Sequence, residues 1–236
     1  MLLRGDFQPG ERISELPLVA RLGVSRTPIR LALDRLSHEG LLEASPTGGF
    51  VVRAFTLEDI WDAIETRGVL EGAAARLAAE RLEHDSELTQ LREYRDEMDA
   101  MILQNDDPDK FAEPDIDSYA RYLDLNEAFH SEIVTLAKSS MLRRTLQQVT
   151  SVPFASPSAL LYVRSKLPRA PHMYAVSHEH HRSIVEAIEQ RQGTRAEAVA
   201  REHSRMTRRN VEVALSDTSI LSGVPGASLI KVPAAV

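Results

Sequence analysis

The chain contains no cysteine, which removes disulfides, thiolate metal sites and cysteine nucleophiles together and leaves any metal to His, Asp, Glu or Asn. It also lacks a long apolar run. Its hydrophobic stretches fall far short of the roughly 18 residues that span a bilayer, and the first residues reach Arg4-Gly5-Asp6 without a signal-peptide core. These absences predict no membrane role and a cytoplasmic location. Positive charge is in deficit, with 28 Lys plus Arg against 35 Asp plus Glu and a net charge of −7. That balance argues against nucleic acid only if the charge is evenly spread, and it is not. Residues 1–55 carry seven Arg against six acidic side chains, so the deficit sits in the remainder, and any basic footprint is local.

What is present is ordinary for a globular protein. A composition of 43% hydrophobic and 27% charged residues excludes wholesale disorder, and 236 residues suit two modest domains better than one. The predicted fold is mainly α, a winged helix-turn-helix over residues 1–55 followed by an all-helical bundle over 56–215 and an irregular tail over 216–236.

The first part rests on local signals. Glu15 to Leu22 reads as a helix, and Gly23 suits the left-handed position after it. Ser25 suits the N-cap of a second helix, whose first turn tolerates Pro28 because its amide has no intrahelical partner. Ile29, Ala32, Leu33 and Leu36 then form one apolar stripe running to His38. Arg26, Thr27 and Arg30 are left on the opposite face at the helix start, where a recognition helix meets base edges and Arg can contact guanine bidentately. A solvated face on an amphipathic helix gives the same pattern. Two β-prone runs follow, Leu41 to Ala44 and Phe50 to Ala54, joined by Ser45-Pro46-Thr47-Gly48-Gly49, which predicts a hairpin wing whose tip can approach a phosphate backbone.

In Pro9-Gly10-Glu11-Arg12, Gly23 to Arg30, Ala32 to Leu36 and Glu39-Gly40-Leu41-Leu42 the segment resembles GntR-family transcription regulators. The resemblance implies that Ser25, Arg26, Thr27 and Arg30 contact DNA from the recognition helix, with Thr47 and Gly48 at the wing tip. Relatives usually carry Glu where Leu31 stands. They also begin with a helix of which this chain has almost nothing, so either the protein starts upstream or this domain has less core.

Beyond residue 55 the pattern is helical. Thr56 with Asp59 reads as an N-cap with an acidic first turn, leading into Ile60, Ala63, Ile64, Leu70, Ala73, Ala74 and Leu77 at helical spacing. Further helices are predicted over 84–104, 117–149, 158–167, 173–191 and 195–215. Breaks are expected at Asp106 to Asp109 and Gln192-Gly193, and Thr194-Arg195-Ala196-Glu197 reads as a capping box.

Histidine placement carries the chemistry. Asn126 and His130 share a face with Leu123, Ile133, Val134 and Ala137; His181 lies with Ile184, Val185 and Ile188; His203 lies with Val199, Ala200 and Met206. One histidine on an apolar stripe is most simply a hydrogen-bonded core residue. Three on three helices can instead form an N-rich divalent metal site, with Asn126 as a weak oxygen donor. His178 and His180 are expected at the surface, His178 with the option of lining the pocket.

Asn126-Glu127-Ala128-Phe129-His130 with the later His181 and His203 resembles the FadR-like subfamily, whose ligand-binding part is the all-helical FCD domain. The resemblance implies a bundle of six or seven helices holding zinc, nickel or manganese, with a small carboxylate or sugar-acid effector completing the coordination. Asn126 in place of Asp predicts weaker metal binding. Arg67 followed by Glu71 also fits the family pattern: Arg67 either clamps an effector carboxylate or makes a structural i,i+4 pair. The function implied is a homodimeric regulator, more often a repressor, reading a palindromic operator in double-stranded DNA under effector control. A metal-responsive regulator is the first alternative. A metal-dependent enzyme is the second, disfavoured because no His-Glu-x-x-His or similar general base accompanies the histidines.

Overall fold

The structure is a computed structural model and describes residues 1–103, 116–152, 155–158, 170–216 and 226–231. Helix α1 (Glu15–Leu22) ends because Gly23 turns left-handed at φ 68°, returning its N–H to the Val19 carbonyl. Helix α2 (Arg26–His38) starts from an extended Ser25, although the Ser25 hydroxyl makes no capping bond. Ile29 and Leu33 are buried and Leu36 partly so, but Ala32 of the expected stripe is exposed. The wing gains a strand that the hairpin signal did not contain. Strands β1 (Arg12–Ile13), β2 (Leu42–Ala44) and β3 (Phe50–Val52) form an antiparallel sheet in the order β1-β3-β2, with Ile13 opposite Phe50 and Leu42 opposite Val52. A two-residue strand carries too little periodicity to be read from sequence.

Helix α3 (Leu57–Glu80) is launched by a capping box in which the Asp59 N–H donates to Thr56 Oγ1 and the Thr56 N–H donates to Asp59. A 3-10 turn at Asp85–Leu88 precedes α4 (Thr89–Leu103), where a single helix was expected. The expected helix 117–149 is two, α5 (Ile116–Leu136) and α6 (Ser140–Thr150). The break has tertiary causes. Lys138 sits at φ 46° with its ammonium between Glu83 and Glu87, and Arg81 donates to the Ala137 and Lys138 carbonyls, replacing the bonds a continuing helix would make. Helix α7 (Ala170–Glu189) is followed by α8 (Gly193–Ser216). Thr194 is therefore inside α8, not its cap: the Ala196 N–H already bonds the Gln192 carbonyl. The break at Asp106 to Asp109 and most of the helix expected at 158–167 lie outside the described residues.

Two cores organise these elements. The larger joins α3, α4, α5, α7 and α8 through residues such as Ala75, Leu91, Phe129, Ile133 and Ile184. The other fills the winged helix with Ile13, Ile29, Leu33, Leu42 and Val52, and it does not stop at residue 55. Ile60 and Ile64 of α3, Val211 of α8, and Leu229 and Ile230 of the tail belong to it. The tail is thus docked over its described part: the Phe55 N–H donates to the Leu229 carbonyl and the Lys231 N–H to the Phe55 carbonyl, while Gly226 bonds Leu3. Within the bundle, α3 and α8 pack closely because Gly68 and Gly72 lie between them. A Cβ on Gly72 would stand 2.7 Å from Arg201 Cγ and 3.1 Å from the Glu197 carbonyl. No helix among the described residues is long and apolar enough to cross a membrane.

Candidate functional site

Two separate places gather the residues singled out in the sequence. The first is the exposed start of α2 beside the wing. Ser25, Arg26, Thr27 and Arg30 are all exposed, held outward because Ile29 and Leu33 bury the other side of the helix. In this body Arg21, Arg35 and Arg53 pair with Asp6, Glu39 and Asp59. Arg26 and Arg30 have no carboxylate at ion-pair distance among the described residues, so their charge is available to phosphates or base edges.

Thr47 and Gly48 form the exposed wing tip. Gly49 follows at φ 77°, and a Cβ there would stand 2.8 Å from the Ile13 carbonyl, so the turn requires glycine. Arg12, which the sequence did not single out as a site residue, donates from Nη2 to the carbonyls of Thr47 at 2.9 Å and Gly48 at 2.6 Å. It fixes the tip and adds a cation there. Its signal in the sequence is its place at the end of Pro9-Gly10-Glu11-Arg12, ahead of α1.

The second place is inside the bundle. Helix α5 brings His130 and Asn126, α7 brings His181, and α8 brings His203; all four are buried. One nitrogen from each histidine lies within 4.8 Å of the others. Nε2 of His181 and Nε2 of His203 face each other at 3.2 Å, close to the roughly 3.3 Å edge of a tetrahedral site with metal–nitrogen bonds of about 2.0–2.1 Å. Asn126 donates from its amide to Ser158 Oγ at 3.2 Å.

The ligand character of these imidazoles has a physical source. Nδ1 of His130 meets Oε1 of Glu71 at 3.2 Å. Burial alone would raise the Glu71 pKa, but the Arg67 charge, His130 and the Ser204 hydroxyl hold it down at about 2. The ionised carboxylate therefore accepts from Nδ1–H of His130 and orients the ring, leaving Nε2 as the nitrogen that can face an ion. That Nε2 is buried and has no hydrogen-bond partner among the described residues. Burial, with the neighbouring His181 and His130, pushes the His203 pKa well below its ordinary value, which favours its neutral form. Three converging imidazoles, one backed by a carboxylate, fit a borderline divalent cation such as zinc, nickel or manganese.

Arg67 is placed differently from an effector clamp. It is 1% exposed, and its guanidinium donates to the Ala155 carbonyl at 2.7 Å, the Ser204 carbonyl at 3.3 Å and Thr207 Oγ1 at 2.9 Å, with Nε 3.4 Å from Glu71. The structural pairing is the arrangement observed, because both terminal nitrogens of the guanidinium bond to protein and Glu71 supplies the counter-charge. His178 is likewise not a surface residue. It is buried, and its Nε2 meets Asp99 Oδ1 at 2.7 Å, a carboxylate that Arg182 also holds.

A cavity of about 350 Å³ opens beside the cluster. Glu71 and His130 are in its wall, together with Glu127, Arg143, Gln147 and Thr150. The same Glu71 and His130 also line a void of about 10 Å³ that reaches His203, near the volume of a single water or ion. The larger space falls in the range of small-molecule pockets.

Comparison with known proteins matches both halves. Residues 1–52 match the model described as bacterial regulatory proteins, gntR family, and residues 62–206 match the FCD domain. The Nta operon transcriptional regulator of Aminobacter aminovorans is 35% identical over 150 residues, 64% of this chain and 65% of that protein. A probable D-xylose utilization operon transcriptional repressor of Paenarthrobacter nicotinovorans is 29% identical over 195 residues, 80% of this chain and 74% of its own length. Among solved structures, E. coli McbR/YncC superposes with a TM-score of 0.61 at 20% identity, covering 91% of this chain and 92% of that one, a likeness of fold.

Proposed function

Because this chain belongs to the gntR family of bacterial regulatory proteins and carries an FCD domain, we propose that it is a DNA-binding transcription regulator, not an enzyme, controlled by a small carboxylate bound in the bundle. The reading is carried by one observation: among the described residues, two groups that the fold leaves without partners are ones such a protein needs free. They are the cationic start of α2, exposed beside the wing, and Nε2 of His130, buried at the edge of a cavity.

In this proposal Ser25, Arg26, Thr27 and Arg30 read the major groove, while Thr47 and Gly48, braced by Arg12, lie against the backbone. Two copies form a homodimer in the cytoplasm and read the half-sites of a palindrome. His130, His181 and His203, with Asn126 alongside, would hold a divalent ion, and such an ion would supply a Lewis-acid anchor for a carboxylate. Glu71 sets the tautomer of His130, and Arg67 holds Glu71 in place.

Helix α3 connects the two places. Its middle carries Glu71 in the cavity wall, with Arg67 paired to it, and its first turns place Ile60 and Ile64 in the winged-helix core. A ligand that prefers one setting of α3 shifts the relative placement of the two recognition helices, and only that differential affinity changes DNA binding. The Paenarthrobacter relative, named a repressor, favours release of DNA by the effector.

The test uses DNA selected from a random pool by the purified protein. Arg26→Ala and Arg30→Ala should each weaken binding to the selected palindrome by about 1–3 kcal/mol while the fold is kept. Failure to select a palindrome, or unchanged affinity in both variants, overturns the assigned face. Zinc titrated with and without carboxylates separates an ion that supports an effector from an ion that is itself the signal: release of DNA by zinc alone favours the second.

A further inference from the structure

The charges lining the cavity are unevenly distributed. Two carboxylates stand in its wall, Glu71 and Glu127, and Arg143 is the one lysine or arginine among its lining residues. Glu71 already has the Arg67 guanidinium as its counter-charge and accepts from His130. Arg143, in contrast, is exposed and has no carboxylate at ion-pair distance among the described residues; its side-chain bond is to Thr135 Oγ1, at 3.4 Å. Glu132 interacts with its charge but does not reach ion-pair distance. The cavity's own cation for an anion is therefore the Arg143 guanidinium on α6. The His130 end would become a second such pole when the histidine cluster holds a divalent ion. Between them the wall offers Ser131, Gln147 and Thr150, which exchange hydrogen bonds with hydroxyls, and Glu127, which accepts from a hydroxyl and repels a further anion.

Resting on the effector reading above, we propose that the ligand of this cavity is a small hydroxylated acid with two anionic groups, one at the histidine end and the second held by Arg143. A monocarboxylate anchored at the histidines would leave Arg143 facing an apolar or neutral group. A second carboxylate instead receives a bidentate, charge-assisted pair from it. Arg143 thus sets the choice between dianionic and monoanionic acids, and His130 sets whether an acid binds at all.

The experiment is isothermal calorimetry on the zinc-loaded full chain with malate and citrate as polyanionic probes. The monoanionic probe is 2-hydroxybutyrate, which puts a methyl group where malate has its second carboxylate. Wild type should bind malate or citrate about tenfold or more tighter than 2-hydroxybutyrate. Arg143→Gln should erase that difference and leave the 2-hydroxybutyrate affinity unchanged. Arg143→Lys should restore part of it, and Arg144→Gln, on the same exposed helix, should change nothing. Equal binding of the three acids, or discrimination that survives Arg143→Gln, overturns this assignment. If acids bind in a His130-dependent manner under those outcomes, the effector reading stands without it. If no acid binds wild type, both fall.

Discussion

Glu71 on α3 accepts a hydrogen bond from Nδ1 of His130 on α5 at 3.2 Å, while its other oxygen accepts from Ser204 of α8 at 2.7 Å and faces Arg67. One carboxylate thus fixes the tautomer of a candidate ligand and neutralises a buried guanidinium. Glu71→Gln keeps the size and loses the charge. It should destabilise the protein by about 3–5 kcal/mol, because Arg67 is left buried without a counter-charge, and weaken zinc binding about 10–100-fold. Urea unfolding and a competition titration against a zinc chelator measure the two effects. An unchanged unfolding midpoint would show that Arg67 does not depend on Glu71.

Zinc should raise the melting temperature of the metal-free protein. At a hundredfold excess over its dissociation constant the gain is about 2.7 kcal/mol. His181→Ala and His203→Ala should each remove the shift, since each deletes one of the three converging nitrogens. A full shift in both variants would place the ion elsewhere.

Acid should weaken the metal-free protein in two stages. Burial lowers the pKa values of His203, His178 and His180 in the folded state from a reference of 6.5. As pH falls below 6.5 the unfolded chain takes up protons that the folded chain refuses, so stability drops with falling pH. Each such group contributes a slope of up to about 1.4 kcal/mol per pH unit. Glu71, held at about 2 against 4.5, adds a further loss from 4.5 down to about 2, again because the unfolded state protonates first. Chemical denaturation between pH 7.5 and 5 should show the first stage; a flat profile there would contradict the burial of these histidines.

The docked tail should matter to the winged helix. Leu229 is 0% exposed in the same core as Leu2, Phe55 and Ile60. Leu229→Ala should cost about 2–5 kcal/mol of stability, read from urea unfolding followed by Trp61 fluorescence, since Trp61 packs against this core. A cost under about 0.5 kcal/mol would mean that the segment does not hold to Phe55 in solution.

At the wing, Gly49→Ala combines a positive φ with a Cβ 2.8 Å from the Ile13 carbonyl. A loss of about 1–3 kcal/mol is expected from the strained backbone, with weaker binding to the selected DNA because the tip moves. Gly10→Ala, also at positive φ but with nothing within 4 Å of the added Cβ, serves as the control. Equal DNA affinity for both variants would separate the wing tip from binding.

The sequence alone determined the features whose causes are local. The left-handed Gly23, the extended Ser25, the anchoring of α2 through Ile29 and Leu33, and the Thr56 to Asp59 capping box each depend on a few neighbouring residues. Periodicity also placed His130, His181 and His203 on inward faces, because a helix fixes the direction of every side chain once its core stripe is known. What lay further apart only the tertiary structure decided. Arg67 became a strut through partners more than eighty residues away in sequence. Helix α5 ended before Lys138 because Arg81, Glu83 and Glu87 hold that turn, His178 was paired with Asp99, and the tail found Phe55. Arg143 entered the cavity wall because, beyond that break, α6 packs against α3. Local backbone preferences are written in short stretches of sequence, whereas the partner of a charge depends on which surfaces the folded chain brings together.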